Sequence, residues 1–255
     1  MTVCELYTFL NEKIPPSLSC EWDNDGLMCC PNPDRTVSRV LVALDITGAV
    51  VKTAIEGDYD AIVSHHPMIF SPLSRIEPSN HTAKKVIDLC RAGIAAMSFH
   101  TRLDAVEGGV NDALASAIGL TDVTPLGNAG EEIGRIGNLA APMSIEDFAA
   151  RVKAAIDAEQ LVVSDAGKTV LRVAVLGGSG SDDVLAARVA GADTYLSGEL
   201  KHNWLTDAPD LGINLIAGGH FHTENPVCEV LCRMIREADG EITVDTVNSN
   251  PTKVM

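Results

Sequence analysis

Three observations predict an α/β fold, with mixed, mainly parallel sheets flanked by helices. Short apolar runs alternate with stretches at helical spacing. The alternation is played twice, so the chain reads as two copies of one unit. Histidines and carboxylates recur just after the predicted strands, where open α/β sheets gather their functional groups.

The first copy opens with an amphipathic helix over 3–13. Residues 39–46, Arg-Val-Leu-Val-Ala-Leu-Asp-Ile, form a short apolar run that reads as a buried strand. A helix over 48–57 follows, and Gly57 is a typical residue for a helix end. Strand 61–64 runs into His65-His66-Pro67. A helix over about 81–92 leads to strand 94–99, which delivers His100-Thr101-Arg102-Leu103-Asp104.

The second copy opens with a helix over 144–157, where Ser144 and Asp147 resemble a capping box. Strand 172–177, helix 181–191 closed by Gly191, and strand 194–197 lead into Gly198-Glu199-Leu200-Lys201-His202. A short helix, 203–208, precedes strand 214–217, which delivers Gly218-Gly219-His220. Residues 127–142 read as a glycine-rich passage between the copies. The expected division is therefore 1–126 and 127–255.

Composition sets the class. Of 255 residues, 46% are hydrophobic and 21% charged, which is ordinary for a globular protein. A net charge of −16 repels phosphate backbones and anionic lipid, so it disfavours nucleic acid and membrane surfaces as partners. No segment approaches the ~20 apolar residues of a membrane span, and the N-terminus lacks the basic region of a signal peptide. The seven cysteines contain no CxxC pair and read as reduced, buried thiols of a cytoplasmic protein.

The chemistry concentrates at strand ends. His65 and His66 close a strand, and Pro67 holds His66 away from helix, so two imidazoles can face one cavity and serve two adjacent metals. A His-His pair is also common as surface or hydrogen-bonded structure. His220 and Glu224 share a face if the helix expected at about 224–238 starts by 220. Otherwise they belong to a solvated helix start. Asp104 adds an oxygen donor, and His100 reads as a ligand neighbour or a structural histidine. Three imidazoles with two carboxylates suit Zn, Fe(II), Mn(II) or Co(II), and fit neither an all-oxygen Ca site nor a thiolate cluster. Gly177-Gly178-Ser179-Gly180-Ser181 lacks the lysine of a P-loop; it reads as a tight turn or, less simply, an anion cradle.

The stretches Trp22-Asp23-Asn24-Asp25-Gly26-Leu27, Ser64-His65-His66-Pro67, His100-Thr101-Arg102-Leu103-Asp104, Gly134-Arg135-Ile136-Gly137, Gly198-Glu199-Leu200-Lys201-His202 and Gly219-His220-Phe221-His222-Thr223-Glu224 resemble the Nif-three-like dinuclear-metal family. Its members are often labelled GTP cyclohydrolase 1 type 2 homologues. The resemblance runs from about residue 3 to Pro251, in the manner of the short bacterial form without an inserted domain. It implies two intertwined α/β domains from an internal duplication and a ring-shaped homohexamer. It also implies two divalent metal ions per subunit on His65, His66, Asp104, His220 and Glu224, with Glu224 the bridge. Glu199, Asn203, Cys30 and His222 depart from the family's usual residues; none is among the five ligands, and Asn203 and His222 bear on substrate contacts instead.

Two metals activate water and stabilise developing charge, so a metal-dependent hydrolase is the leading reading. In the cyclohydrolase version that the resemblance implies, water attacks C8 of the guanine ring of GTP, with His100 or His202 as proton shuttles. The alternative is a non-enzymatic metal-binding, trafficking or scaffold protein. It needs the same ligands and no small-molecule substrate such as GTP or another nucleotide.

Overall fold

The computed structural model describes residues 1–128 and 131–253. The chain opens with α1 (Val3–Lys13). Thr2 caps it reciprocally with Glu5: the Thr2 hydroxyl accepts from the Glu5 N–H at 3.2 Å, and the Glu5 carboxylate accepts from the Thr2 N–H at 2.7 Å. After β1 (Gly26–Cys29) come β2 (Arg39–Ala43), α2 (Gly48–Glu56), β3 (Ala61–Ser64), α3 (His81–Ala92), β4 (Ala95–Ser98) and the short α4 (Thr101–Ala105). Thr47 caps α2 and Asn80 caps α3 through side-chain oxygens. Gly93 ends α3 at φ +72°, whereas Gly57 ends α2 at φ −95°, outside the left-handed region.

The chain continues through α5 (Val110–Ala117), β5 (Thr121–Asn128), β6 (Glu131–Met143), α6 (Ile145–Ala155), β7 (Val162–Ser164) and β8 (Val170–Ser179). Ser144 caps α6 by accepting from the Asp147 N–H at 3.1 Å. Next are α7 (Val184–Val189), β9 (Thr194–Glu199), α8 (His202–Leu211), β10 (Asn214–Ala217), α9 (His220–Glu224), α10 (Val227–Ala238) and β11 (Thr243–Thr246). The helix expected over 181–191 is a 3₁₀ turn, Ser181–Asp183, followed by α7. The helix expected at 224–238 divides into α9 and α10 around Asn225-Pro226, where proline supplies no N–H to continue the ladder.

Two compact units result: Met1–Val106 with Cys228–Pro251, and Glu107–Val227 with the last residues from Thr252. The divisions fall at 106/107 and 227/228, rather than at 126/127. The helix α5 and hairpin β5–β6 belong with the second sheet, and the chain re-enters the first unit to add β11 beside β2. The first sheet has order β1-β4-β3-β2-β11, with every pair parallel except β1–β4. The second has order β5-β6-β8-β9-β10-β7 and is mixed, with a parallel centre of β8, β9 and β10. In the first unit Leu41, Ile62 and Ala96 pack with Val50, Val51, Ala54 and Leu89 of the helices. In the second, Val173 and Val175 enter one core beside Phe148 and Val152, while Ala174 and Leu176 enter another beside Val184 and Ala187. That alternation along β8 makes it a strand covered on both faces.

The internal duplication is visible in backbone detail. Asp60 precedes β3 and its carboxylate accepts from the N–H groups of Ser38 and Arg39 at 2.7 and 2.9 Å. Asp193 precedes β9 and accepts in the same way from Leu171 and Arg172 at 2.9 and 2.7 Å. The N–H of Phe99 reaches Ser64 O at 2.9 Å, as that of Gly218 reaches Ser197 O at 2.8 Å. Burial pushes the Asp60 pKa up, but the Ser38 and Arg39 N–H groups and Arg35 outweigh it and hold it below the usual 3.8. A lowered folded-state value stabilises the fold above the ordinary carboxylate range, and that contribution is lost as pH falls through the folded value. Asp60→Asn is therefore expected to cost about 1–2 kcal/mol at pH 7. Urea titrations should show the gap to the native protein closing in acid; a gap independent of pH would contradict the assignment.

All seven cysteines are free thiols; Cys29, Cys228 and Cys232 are buried as expected. Cys4 and Cys90 are exposed instead. Cys4 lies off the buried Val3/Leu6/Leu10 stripe of α1, and Cys90 follows the inward Leu89 of α3. Among the described residues, no helix is long and apolar enough to cross a membrane.

Candidate functional site

Strand β3 is buried along its length and sits between β2 and β4. At its end the Ser64 hydroxyl donates to His66 O at 2.8 Å, and the His66 N–H donates to Leu44 O at 2.9 Å. These bonds turn the backbone and carry two consecutive imidazoles to the carboxyl edge of the sheet. His65 is fully buried. Its Nδ1 lies 2.9 Å from Phe99 O. A carbonyl only accepts, so the proton sits on Nδ1 and Nε2 carries the lone pair.

The same device recurs twice. His66 Nδ1 lies 2.8 Å from Asp45 Oδ1, and His100 Nδ1 lies 2.8 Å from Asp23 Oδ1. Each carboxylate accepts from Nδ1–H, so Nε2 is the ring nitrogen able to bind a cation or to exchange a proton. One ligand atom from each of His65, His66 and His100 falls within 4.8 Å of the others. Asp104, buried on α4, places Oδ1 3.7 Å from His65 Nε2. That is too long for a hydrogen bond. It is close to the ~3.4 Å between two ligands held ~2.1 Å from one ion in tetrahedral geometry.

Asp23 and Asp25 fix this edge from behind. Asp23 also accepts from the Thr101 N–H at 3.0 Å and its hydroxyl at 2.6 Å. Burial raises the Asp23 pKa, but the bonds from His100 and Thr101 overcome it and hold the carboxyl far below its ordinary range. On the Asp45 side of His66 lies a cavity of about 540 Å³, bordered by Ile46, Val51, Met68 and Lys85 among others.

In the second unit, Gly218-Gly219 follow β10, and Gly219 takes φ +86° to start α9. His220 and Glu224 then lie one turn apart on this helix, with Nε2 3.1 Å from Glu224 Oε2. His220 Nδ1 lies 3.5 Å from Glu199 Oε1. The glycine-rich stretch at the end of β8 makes room for this pair. A Cβ at Gly178 would lie 2.2 Å from Glu224 Oε1 and 3.1 Å from His220 Nε2. The Gly177 N–H donates to Asn111 Oδ1 at 2.8 Å and the Gly178 N–H to Thr223 Oγ1 at 3.1 Å. Those groups are spent within the fold, so Gly177 and Gly178 form a cradle for side chains.

The structure thus brings His65, His66, His100 and Asp104 together in one unit, and His220 with Glu224 in the other. His202 opens α8, exposed and outside the clustered donors. Sequence reasoning missed the orienting roles of Asp45 and Asp23. A signal existed: Asp45 follows β2 at the same sheet edge, and Asp23 lies in the Trp22–Leu27 stretch.

Oriented imidazoles beside carboxylates at strand ends define a class: a duplicated α/β protein with residues that could hold a metal ion. The sequence profile of the family Duf34/NIF3 (NGG1p interacting factor 3) matches residues 1–253. The chain belongs to this DUF34/NIF3 family. It is 28% identical over 260 residues to a "GTP cyclohydrolase 1 type 2 homolog" of Clostridium perfringens, covering 98% of each. It is 34% identical over 233 residues to the protein of the same name in Lactococcus lactis, covering 90% of each. Among solved structures, Staphylococcus aureus hypothetical protein SA1388 matches with a TM-score of 0.89 and 27% identity, over 100% of this chain and 99% of that one.

Proposed function

We propose that this chain is a metal-dependent hydrolase that would bind two divalent ions, with His65, His66, Asp104, His220 and Glu224 as the residues that would hold them. The observation that carries the reading is the pair of oriented rings. Phe99 O and Asp45 fix the tautomers of His65 and His66 so that both present Nε2, and Asp104 stands at ligand-to-ligand distance from His65. The nitrogen and oxygen donors suit Zn, Fe(II), Mn(II) or Co(II). Bound there, such ions lower the pKa of water and neutralise charge on the attacked centre.

The chain's own residues do the rest. His100, held by Asp23, is positioned to carry a proton at Nε2; His202 is a second, exposed candidate. The relatives' name, GTP cyclohydrolase 1 type 2 homolog, supports a small-molecule substrate such as GTP or another nucleotide. The acidic charge supports a substrate other than nucleic acid. We place the protein in the cytoplasm, where seven free thiols are stable, as a homohexamer.

The test is metal analysis and turnover of Zn-, Mn- and Fe(II)-loaded protein with GTP and a panel of phosphoesters and amides, beside Glu224→Ala. The native protein should hold two ions per chain. The variant should lose at least one and about 100-fold or more of its rate. Turnover surviving in Glu224→Ala would sink the hydrolase reading. Two ions without turnover of any substrate would establish a metal-binding protein that is not an enzyme.

A further inference from the structure

The chain has ten aromatic residues, Trp 2, Tyr 3 and Phe 5. Only Trp22, 61% exposed, and Phe70, 53% exposed, stand out in solvent. Burying such rings is ordinarily favourable, and adjacent exposed ones mark a contact surface. These two are neighbours, with centroids 6.3 Å apart. Both also meet His100 edge-on, at 6.1 and 6.3 Å with interplanar angles of 78° and 81°. His100 in turn lies 5.2 Å from His65 and 5.6 Å from His66, ring to ring.

The pair is built into the fold. The Asn24 side chain donates to Ile69 O, tying the loop of Trp22 to the loop of Phe70. The Cys20 N–H donates to Thr101 Oγ1 at 3.0 Å, and Asp23 binds His100 and Thr101 on α4. The loops that carry both rings are thus tied to the imidazole cluster before anything binds, which lowers the entropy cost of ordering them.

We propose that Trp22 and Phe70 are a stacking wall for a planar aromatic ring of the substrate, holding it against His100 at the edge of the metal ligands. This rests on the hydrolase reading for the word substrate, and on the aromatic geometry alone for the ring. The occupant is a small molecule because the wall adjoins metal-ligating side chains. A flat heteroaromatic ring gains from the π-faces of Trp and Phe whatever its hydrogen-bonding edge.

The test titrates the full chain, with and without Zn, with GMP, AMP and nicotinamide mononucleotide, using ribose 5-phosphate as the ring-free counterpart. Calorimetry reads the affinity. Trp22 emission, isolated in a Trp204→Phe background, reads the contact. At least one ring-bearing probe should bind tenfold or more tightly than ribose 5-phosphate and quench Trp22. Trp22→Ala and Phe70→Ala should each weaken it about tenfold or more, with metal content unchanged, while Trp22→Phe retains most of the affinity. Equal binding of ring-bearing and ring-free probes, or alanine variants that bind like the native protein, would overturn the proposal. So would a changed oligomeric state in Trp22→Ala with ring affinity intact, which assigns the patch to a subunit contact. Ring indifference with two ions bound defeats this proposal alone. Failure to bind metal defeats the hydrolase reading and leaves the metal-free ring titration to decide this one.

Discussion

Alanine at position 178 is expected to lower stability by roughly 2–5 kcal/mol and to strip metal from the protein. Two terms add. Gly178 holds φ +66°, where a Cβ costs about 1–2 kcal/mol. That Cβ would also lie 2.2 Å from Glu224 Oε1, and overpacking a buried site costs about 1–3 kcal/mol more. Glu224 is only 4% exposed, so its carboxylate must be displaced from His220. Gly167 supplies the control: it has φ +69° and nothing within 4 Å of an added Cβ. Gly167→Ala should carry the backbone term alone and bind metal normally. Thermal melts with and without Zn separate the two, since a ligand stabilises only the state that binds it. Equal destabilisation of both variants, with metal retained, would refute the cradle. Gly198 shows the other kind of constraint. An added Cβ there meets Gly178 O at 2.5 Å and His220 Cα at 2.8 Å. Both are backbone positions, so the fold itself would have to give.

These glycines mark where sequence reading stops. The apolar runs that became β3, β4, β9 and β10 are legible because each is almost wholly buried and is followed by a helix. The residues beyond them were legible for the same reason, since strand ends in such sheets carry chemistry. What Gly178 is for depends on a carboxylate from α9, forty-six positions later in the numbering, and no local pattern reports it. The passage 127–142 was read as a link because of its glycines, yet it falls largely in the antiparallel pair β5–β6; residues 129–130 lie outside the described residues. Gly134 and Gly137 are there because a Cβ would approach Val175 O to 3.0 Å and Thr121 O to 2.8 Å. Glycine in a strand signals close backbone approach as well as a break. Strands β1 and β11 escaped notice because each has four residues and takes its register from an edge of a sheet already formed.

Removing the Asp25 carboxylate is expected to destabilise the first unit by about 3–5 kcal/mol, because it leaves a buried guanidinium without its counter-charge. Arg102 is 1% exposed and lies over the Phe99 ring, 4.6 Å from its centroid. Its Nε donates to Asp25 Oδ2 at 2.8 Å, and one terminal nitrogen donates to Asn11 Oδ1 at 2.7 Å and Ile14 O at 3.0 Å. Lysine cannot reproduce that fork, so Arg102→Lys should also be costly. Asp25→Ala combined with Arg102→Met removes both charges together. Its loss should fall short of the sum of the singles by about 2 kcal/mol or more in urea denaturation. Strict additivity would show that the two groups do not act as a pair. The consequence reaches the residues proposed to hold metal through short connections. Asp25 Oδ2 also accepts the His100 N–H at 3.1 Å, and Arg102 belongs to α4, which carries Asp104. A first unit that stays folded in Asp25→Ala should therefore bind metal more weakly, with Asp104 no longer held beside His65. The double variant should recover stability more fully than metal affinity, since it restores neutrality without restoring the bond to His100.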